Sequence, residues 1–158
     1  MTDARFEDGA EKPLRLIAHD TDGLPVISAL IQDAVLPITE MVFDRKARKL
    51  SLLLNRFRWE DRPAAERRGR GFERVRSVLT IADLRRLSTQ GIDRDDWNTV
   101  LSVLALAWHP GEDGTGRVVL TLAGDGAIAA DVECLDLTLV DVTRPYRAPS
   151  GKAPSHPE

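Results

Sequence analysis

Val118-Val-Leu-Thr-Leu-Ala-Gly-Asp-Gly-Ala-Ile-Ala-Ala-Asp-Val-Glu-Cys-Leu-Asp-Leu-Thr-Leu-Val-Asp141 decides how the last third of this chain folds. A strand-like run meets Gly124-Asp125-Gly126-Ala127-Ile128-Ala129, a G-x-G-x-x-A string, and a second apolar run closes on Asp141. A dinucleotide-binding unit shares this outline. It needs a strand, a glycine turn, a helix whose N-terminus meets the pyrophosphate, and a second parallel strand ending in a carboxylate. The spacing is too short for it. A helix from Gly126 to Leu135 leaves no loop before Leu135–Val140, whereas a crossover takes at least about 10–12 residues. No further strand–helix units follow, and nothing upstream alternates strand with helix as such a sheet requires. Neither nicotinamide nor flavin is therefore an expected cofactor.

A β-hairpin accounts for the same residues with less. Asp125-Gly126 between apolar runs is a strong two-residue turn signal, because a type I′ turn needs positive φ at both positions. After the turn Ile128, Ala130, Val132 and Cys134 alternate with Ala129, Asp131 and Glu133. Then the phase slips, and Leu135, Leu137 and Leu139 become the apolar set. Such a slip moves the inward set to the other face unless a bulge or corner absorbs it. A bend is therefore expected between Cys134 and Leu135. Cys134, in phase with Ile128 and Val132, is expected to be a buried structural thiol rather than a nucleophile.

Upstream, Leu14–Ala18 reads as a short strand. Asp20–Gly23 offers helix caps, Pro25 suits a first turn, and Leu24, Ile27, Leu30, Ile31 and Ala34 keep helical spacing until Leu36-Pro37. One N-terminal helix over Leu24–Val35 is expected. Ile38–Phe43 and Leu50–Trp59 read as strands around the charged turn Asp44–Lys49. In the second, Leu50, Leu52, Leu54, Arg56 and Arg58 share one face; Ser51, Leu53, Asn55, Phe57 and Trp59 share the other. Residues 60–72 read as a polar loop, and Val75–Ile81 as a strand. Ala82–Gln90 fits a short helix or a turn followed by a strand. Val100–Trp108 fits a buried strand or helix, with a hairpin across Gly111–Gly116 the simpler reading. Residues 1–12 and the proline-rich 143–158 read as disordered tails around a single domain, 13–142.

The composition is that of a globular chain, with 42% hydrophobic and 30% charged residues. No apolar run reaches the roughly 18 residues that span a bilayer. The acidic start has no apolar core of a signal peptide, and one cysteine permits no internal disulfide, so a cytoplasmic protein is expected. His19, His109 and His156 lack partners at zinc spacing, and Asp131, Glu133, Asp136 and Asp141 lack a calcium-loop pattern. No G-x-S-x-G, Walker A or H-E-x-x-H string occurs. Neither metal nor catalytic residue is expected.

Charge is unevenly placed. Residues 44–76 hold 12 basic and 5 acidic side chains in a chain of formal net charge −3. Asn55-Arg-Phe-Arg-Trp-Glu60 interleaves arginine with aromatics, and Arg67, Arg68, Arg70, Arg74 and Arg76 follow. Guanidiniums pair phosphates or carboxylates, and exposed aromatics stack on bases. Asn55, Arg56, Arg58, Trp59, Glu60, Arg68 and Arg70 are therefore the candidate binding residues for an acidic protein or RNA. The competing reading is a solvated edge with Phe57 and Trp59 in the core and Glu60, Asp61, Glu66 and Glu73 balancing the charge. A different function class, a small-molecule enzyme or sensor, would use a pocket between helix and sheet with Asp131 and Glu133 at its mouth.

The strings LRLIAHD, SLLLNRFRWE, ERVRSVL and LTLAGDGAIAADVECLDLTLVD, in that order over residues 13–142, resemble a bacterial family, domain-of-unknown-function family 2948. The resemblance implies a small cytoplasmic protein, mostly alphaproteobacterial, and brings no activity, cofactor or catalytic residue. The family usually has three glycines at the hairpin; Gly124-Asp125-Gly126 departs from this and keeps the turn chemistry. Taken together, the residues predict an α+β fold. It is a mostly antiparallel curved sheet or incomplete barrel of about seven strands with one N-terminal helix across an opening or face, pleckstrin-homology-like barrels being one such design.

Overall fold

The computed structural model describes residues 13–93, 95–148 and 153–154. Within them run β1 (Arg15–Ala18), α1 (Gly23–Leu30), β2 (Val35–Pro37), β3 (Met41–Asp44), β4 (Lys49–Phe57), α2 (Arg62–Arg68), β5 (Glu73–Ile81), β6 (Leu84–Gln90), β7 (Val100–Pro110), β8 (Gly116–Leu122), β9 (Gly126–Val132), β10 (Leu137–Asp141) and β11 (Tyr146–Arg147). All pairings are antiparallel. The order is β1-β10-β5-β4-β2-β7-β8-β9-β6, with β3 on β4 and β11 on β5, and the sheet does not close. The mostly antiparallel expectation holds. The described residues form eleven strands rather than about seven, because pieces as short as Val35–Pro37 and Tyr146–Arg147 are recruited by their neighbours and show no periodicity of their own.

The decisive stretch is a hairpin. β8 and β9 pair from Gly116↔Val132 to Leu122↔Gly126. The turn lies one residue earlier than the Asp125-Gly126 signal: Gly124 (φ 78°) and Asp125 (φ 65°) are the left-handed pair, and Gly126 is buried within β9. Val100–Pro110 is the strand alternative, and Ala82–Gln90 is a turn followed by β6.

The expected slip marks a corner. Ile81 pairs with Leu137 on one side and Leu84 with Val132 on the other, so Ala82 and Asp83 face residues 133–136. Ala82 N–H donates to Asp136 O (2.9 Å), Glu133 N–H to Asp83 O (2.9 Å), and Asp83 takes a φ of 55°. The β5–β10 ribbon thus turns into the β6–β9 ribbon. Ile128, Ala130 and Val132 are buried before the corner; Leu135, Leu137 and Leu139 are buried after it. Cys134 falls in the corner and is exposed, which corrects the buried thiol. Its S–H donates to Asp83 Oδ2 (3.1 Å), and that bond raises its pKa.

β7 joins the two halves. Its first residues pair with β2, Pro37↔Val100 to Val35↔Ser102, and from Val103 onward it pairs with β8 through a bulge at Val103/Ala105. α1 packs against β7 and β1. Leu24, Ile27 and, just beyond it, Ile31 enter the core with Leu50, Leu52, Leu54, Leu79, Leu120 and Leu137. The Ser28 hydroxyl accepts the Leu106 N–H (3.0 Å), so the helix satisfies part of the open edge of β7.

The expectation of one N-terminal helix over Leu24–Val35 is not met: the described residues hold two α-helices, and the first of them also ends early. It stops at Leu30, Asp33 turns the chain with a φ of 64°, and Val35 enters the sheet between β4 and β7. Reciprocal bonds lock the turn: Asp33 N–H to Val103 O and Val103 N–H to Ala34 O, both 2.8 Å. Pairing to a distant strand overrides the local helical pattern. A 3₁₀ turn, Ile38–Glu40, likewise replaces the first half of the Ile38–Phe43 strand. The sheet also reaches into the expected tail. Tyr146 and Arg147 pair with Arg74 and Glu73, and the Ala148 N–H donates to Phe72 O (2.9 Å). Residues 1–12 lie outside the described residues.

Gly116 shows how tightly the β7–β8 end is packed. A Cβ there would lie 2.4 Å from the Trp108 ring and 2.7 Å from His109 O. Gly116→Ala is therefore expected to destabilise the fold by about 1–3 kcal/mol, the usual cost of overpacking. Thermal unfolding followed by circular dichroism checks this, and adding Trp108→Leu should restore part of the loss.

Candidate functional site

β4 places Leu50, Leu52 and Leu54 inward, and the same alternation carries Arg56 inward too. Its side chain is fully buried. Removing a guanidinium from water costs several kcal/mol unless it is paired and its donors are satisfied. Here each nitrogen has a partner. Nη1 and Nη2 donate to Glu60 Oε1 (2.9 Å) and Oε2 (2.8 Å), Nη2 also to Asp141 Oδ1 (3.0 Å), and Nε to Ser77 Oγ (2.9 Å). Ser77 O–H passes a bond on to Asp141 Oδ1 (2.6 Å), and Leu14 N–H donates to Asp141 Oδ2 (3.0 Å). Burial by itself would lower the Arg56 pKa; the bonds and charges of Glu60 and Asp141 outweigh it and hold the pKa above its usual value. Asp141, the carboxylate that closes the last apolar run, is a countercharge in the interior.

The residues expected as a polar loop, 60–72, form a 3₁₀ turn (Trp59–Asp61) and then α2. Pro63 sits in the first turn and Gly69 ends the helix with a φ of 63°, as their conformational preferences favour. This excursion joins β4 to β5 and is held by charge. Arg70 grips Asp61 with two bonds of 2.7 Å each. Arg58 Nη1 donates to Glu73 Oε1 (2.7 Å), and Arg62 Nε to Glu66 Oε1 (2.9 Å). Phe57 packs edge-on against Trp59 at 4.7 Å and beside Phe72 at 5.7 Å.

The candidate binding residues thus divide. Arg56 is buried and Arg58 is 10% exposed, so the structure removes both from the free surface expected of them. Asn55 accepts Arg74 Nε on its side chain (2.7 Å), while Glu60 and Arg70 are committed to Arg56 and Asp61. Trp59 is half-buried, its indole N–H donates to Gln32 O (3.0 Å), and Arg62 lies over its ring. Arg68 is exposed on the last turn of α2 beside Arg67, and neither makes an ion pair among the described residues. Arg76 is exposed on β5.

The helix–sheet pocket of the second function class also takes another form. A groove of about 560 Å³ lies between α1 and β7, with Leu24, Pro25, Ser28, Leu104, Leu106 and Trp108 among its lining, and no titratable side chain lines it. Asp131 and Glu133 are not at its mouth. Asp131 accepts from Arg117 Nε (2.7 Å), and Glu133 pairs with Arg48 (2.7 Å). The corner and the β8 pairing hold both away from α1. Among the described residues no group of three or more His, Cys, Asp or Glu is placed to hold a metal, and no helix is long and apolar enough to cross a membrane.

The chain belongs to the family described as protein of unknown function (DUF2948), which it matches over residues 14–156. The match begins at the residue whose N–H binds Asp141 and runs past β11. No curated protein and no solved structure matches the chain.

Two outcomes follow from the buried charges. Arg56→Met leaves Asp141 without its cation and is expected to cost about 3–5 kcal/mol in urea unfolding, whereas Arg56→Met/Asp141→Leu should recover most of that loss. Asp61 concerns pH. The Arg70 bonds, aided by the Arg58 charge and opposed by burial, hold its carboxyl below the usual carboxylate range. A lowered folded pKa contributes stability that is complete above the unfolded value of about 3.9 and fades as pH falls through the folded value. Asp61→Asn should therefore lower the melting temperature at neutral pH, with the gap to the parent closing below about pH 4.

Proposed function

We propose that the protein is a non-catalytic binding module that docks an acidic protein partner on the α2 surface. The observation that carries this reading is the exposed, unpaired Arg67–Arg68 end of α2, with Arg76 close by in sequence on β5, set on an excursion whose Arg58, Arg62 and Arg70 are spent on internal ion pairs. The committed arginines Arg56, Arg58 and Arg70 position this surface; Arg68 contacts the partner. A helical base leaves only the exposed side chains to be ordered on binding, which limits the entropic cost of association.

An acidic protein fits better than RNA. Sequence-tolerant RNA binding uses exposed aromatic faces as stacking platforms. Phe57 is buried, and Trp59 is half-buried with Arg62 over its ring. A small-molecule role would fall to the α1–β7 groove, but catalysis there would want convergent titratable groups, and the lining has none.

Capture from a native lysate tests the reading, with nuclease treatment and at low and high salt. The expected catch survives nuclease, weakens as salt screens the contact, and disappears with Arg67→Glu/Arg68→Glu at unchanged melting temperature. A nuclease-sensitive catch would sink it, as would one indifferent to salt or to the double substitution.

A further inference from the structure

The outward face of the second half of the sheet carries a basic row that the α2 surface does not involve. The pairings Arg86↔Asp131, Asp131↔Arg117 and Arg117↔His109 set these four residues directly abreast on β6, β9, β8 and β7. At the usual strand spacing the row spans about 14 Å. Arg85, at the β6 bulge, lines the same groove of about 550 Å³, and Gly111, Thr115 and Gly116 form a wall where β7 turns into β8.

Its charges are not neutralised. Asp131 takes Arg117 Nε (2.7 Å) and Nη2 (3.3 Å) and so fixes the direction of that guanidinium. Arg85 and Arg86 are exposed and make no ion pair among the described residues. Glu133, the next carboxylate along the chain, is occupied by Arg48. Among the residues that line the groove, three guanidiniums meet one carboxylate, an excess of about two positive charges; Glu112 and Asp113, in the turn that closes it, are not part of the lining. That excess matches a phosphate monoester, which carries about −1.5 to −2 at neutral pH.

The adjoining rows supply a place for the rest of a ligand. Ser88, Ala129, Val119 and Ala107 lie abreast beside the basic row, and Gln90, Ala127, Thr121 and Ala105 beyond them. This shelf is small-chained and has no aromatic side chain. It can underlie a compact neutral body but offers no platform for successive bases.

We propose that this face binds a phosphorylated small molecule, its phosphate held by Arg85, Arg86 and Arg117 and its neutral part lying on the Ala129–Val119 shelf. Asp131 is a positioning residue that aims Arg117.

The test is nuclear magnetic resonance on the full chain, observing backbone amides and arginine Nε–H groups during titration with pyrophosphate. Saturable shifts are expected at Arg86, Arg117 and the Thr115–Gly116 amides. Arg86→Gln/Arg117→Gln should weaken binding by at least about tenfold while the melting temperature stays close to the parent's, since the lost pair is exposed. Arg67→Gln/Arg68→Gln should bind as the parent does, which separates this face from the α2 surface. The proposal is overturned if pyrophosphate gives no saturable shifts, or if the Arg86/Arg117 variant binds as tightly as the parent. It is likewise overturned if succinate binds as well as pyrophosphate, or if a short single-stranded RNA displaces pyrophosphate at lower phosphate concentration.

Discussion

A guanidinium in the interior is the constraint on which the first half of the sheet depends. Arg56 must be paired wherever it is buried, and its partners come from places far apart in the chain. Ser77 comes from β5, Asp141 from β10 and Glu60 from the turn beyond β4, while Leu14 binds Asp141 from the β1 end. No element can shift without leaving a buried charge or donor unmatched. Apolar residues alone would tolerate a slip of two residues between strands, which keeps the inward set inward; a two-carboxylate clamp around one arginine does not. The cluster therefore specifies which strands meet at this end of the core. Its net contribution to stability is a separate matter, since desolvation cancels much of the attraction.

The second constraint is the corner where the β5–β10 ribbon becomes the β6–β9 ribbon. It lets one antiparallel sheet line a core on two sides without closing into a barrel. The turn is made by Asp83 in a left-handed conformation opposite four residues of the other strand. Arg48 secures it from the β3–β4 turn: its carbonyl accepts the Leu84 N–H and its Nε donates to Leu84 O, both at 3.0 Å. Opening outward past this corner, the Arg86–Asp131–Arg117–His109 row is a product of the same geometry. Only after the turn do β6 and β9 present their alternate residues to solvent on that side.

The candidate site was partly legible. The basic segment 44–76 was visible as a charge imbalance, and Leu50, Leu52 and Leu54 were visible as one face that Arg56 shares. The inference that Arg56 is buried follows from that phase, yet a charged residue is ordinarily assigned to solvent. What was not visible is Asp141, 85 residues away along the chain, which makes burial tolerable. Excursion 59–68 was missed because Gly69, Gly71 and Pro63 read as loop chemistry; the ion pairs Asp61–Arg70 and Arg58–Glu73 that hold it are tertiary. Arg85 and Arg86 gave no signal either, since two arginines in a short strand are unremarkable until register sets Arg117 and His109 beside them.

Local rules determined what lies along single strands. Period-two alternation located β4, β5 and β9, left-handed-tolerant residues located the hairpin turn near Gly124, and the change of phase at Cys134–Leu135 located the corner. They also excluded a dinucleotide fold, because chain length between strands is a property of sequence. Tertiary structure decided whatever depends on a distant partner. It ended α1 at Leu30 so that Val35 could pair with Asn55 and Ser102, drew Tyr146–Arg147 onto β5, turned Arg56 from a surface cation into a buried one, and assembled a basic row from four strands. The physical reason is common to these cases. A backbone hydrogen bond or a buried charge is satisfied by position in space, and sequence periodicity records only which side of a strand a residue takes.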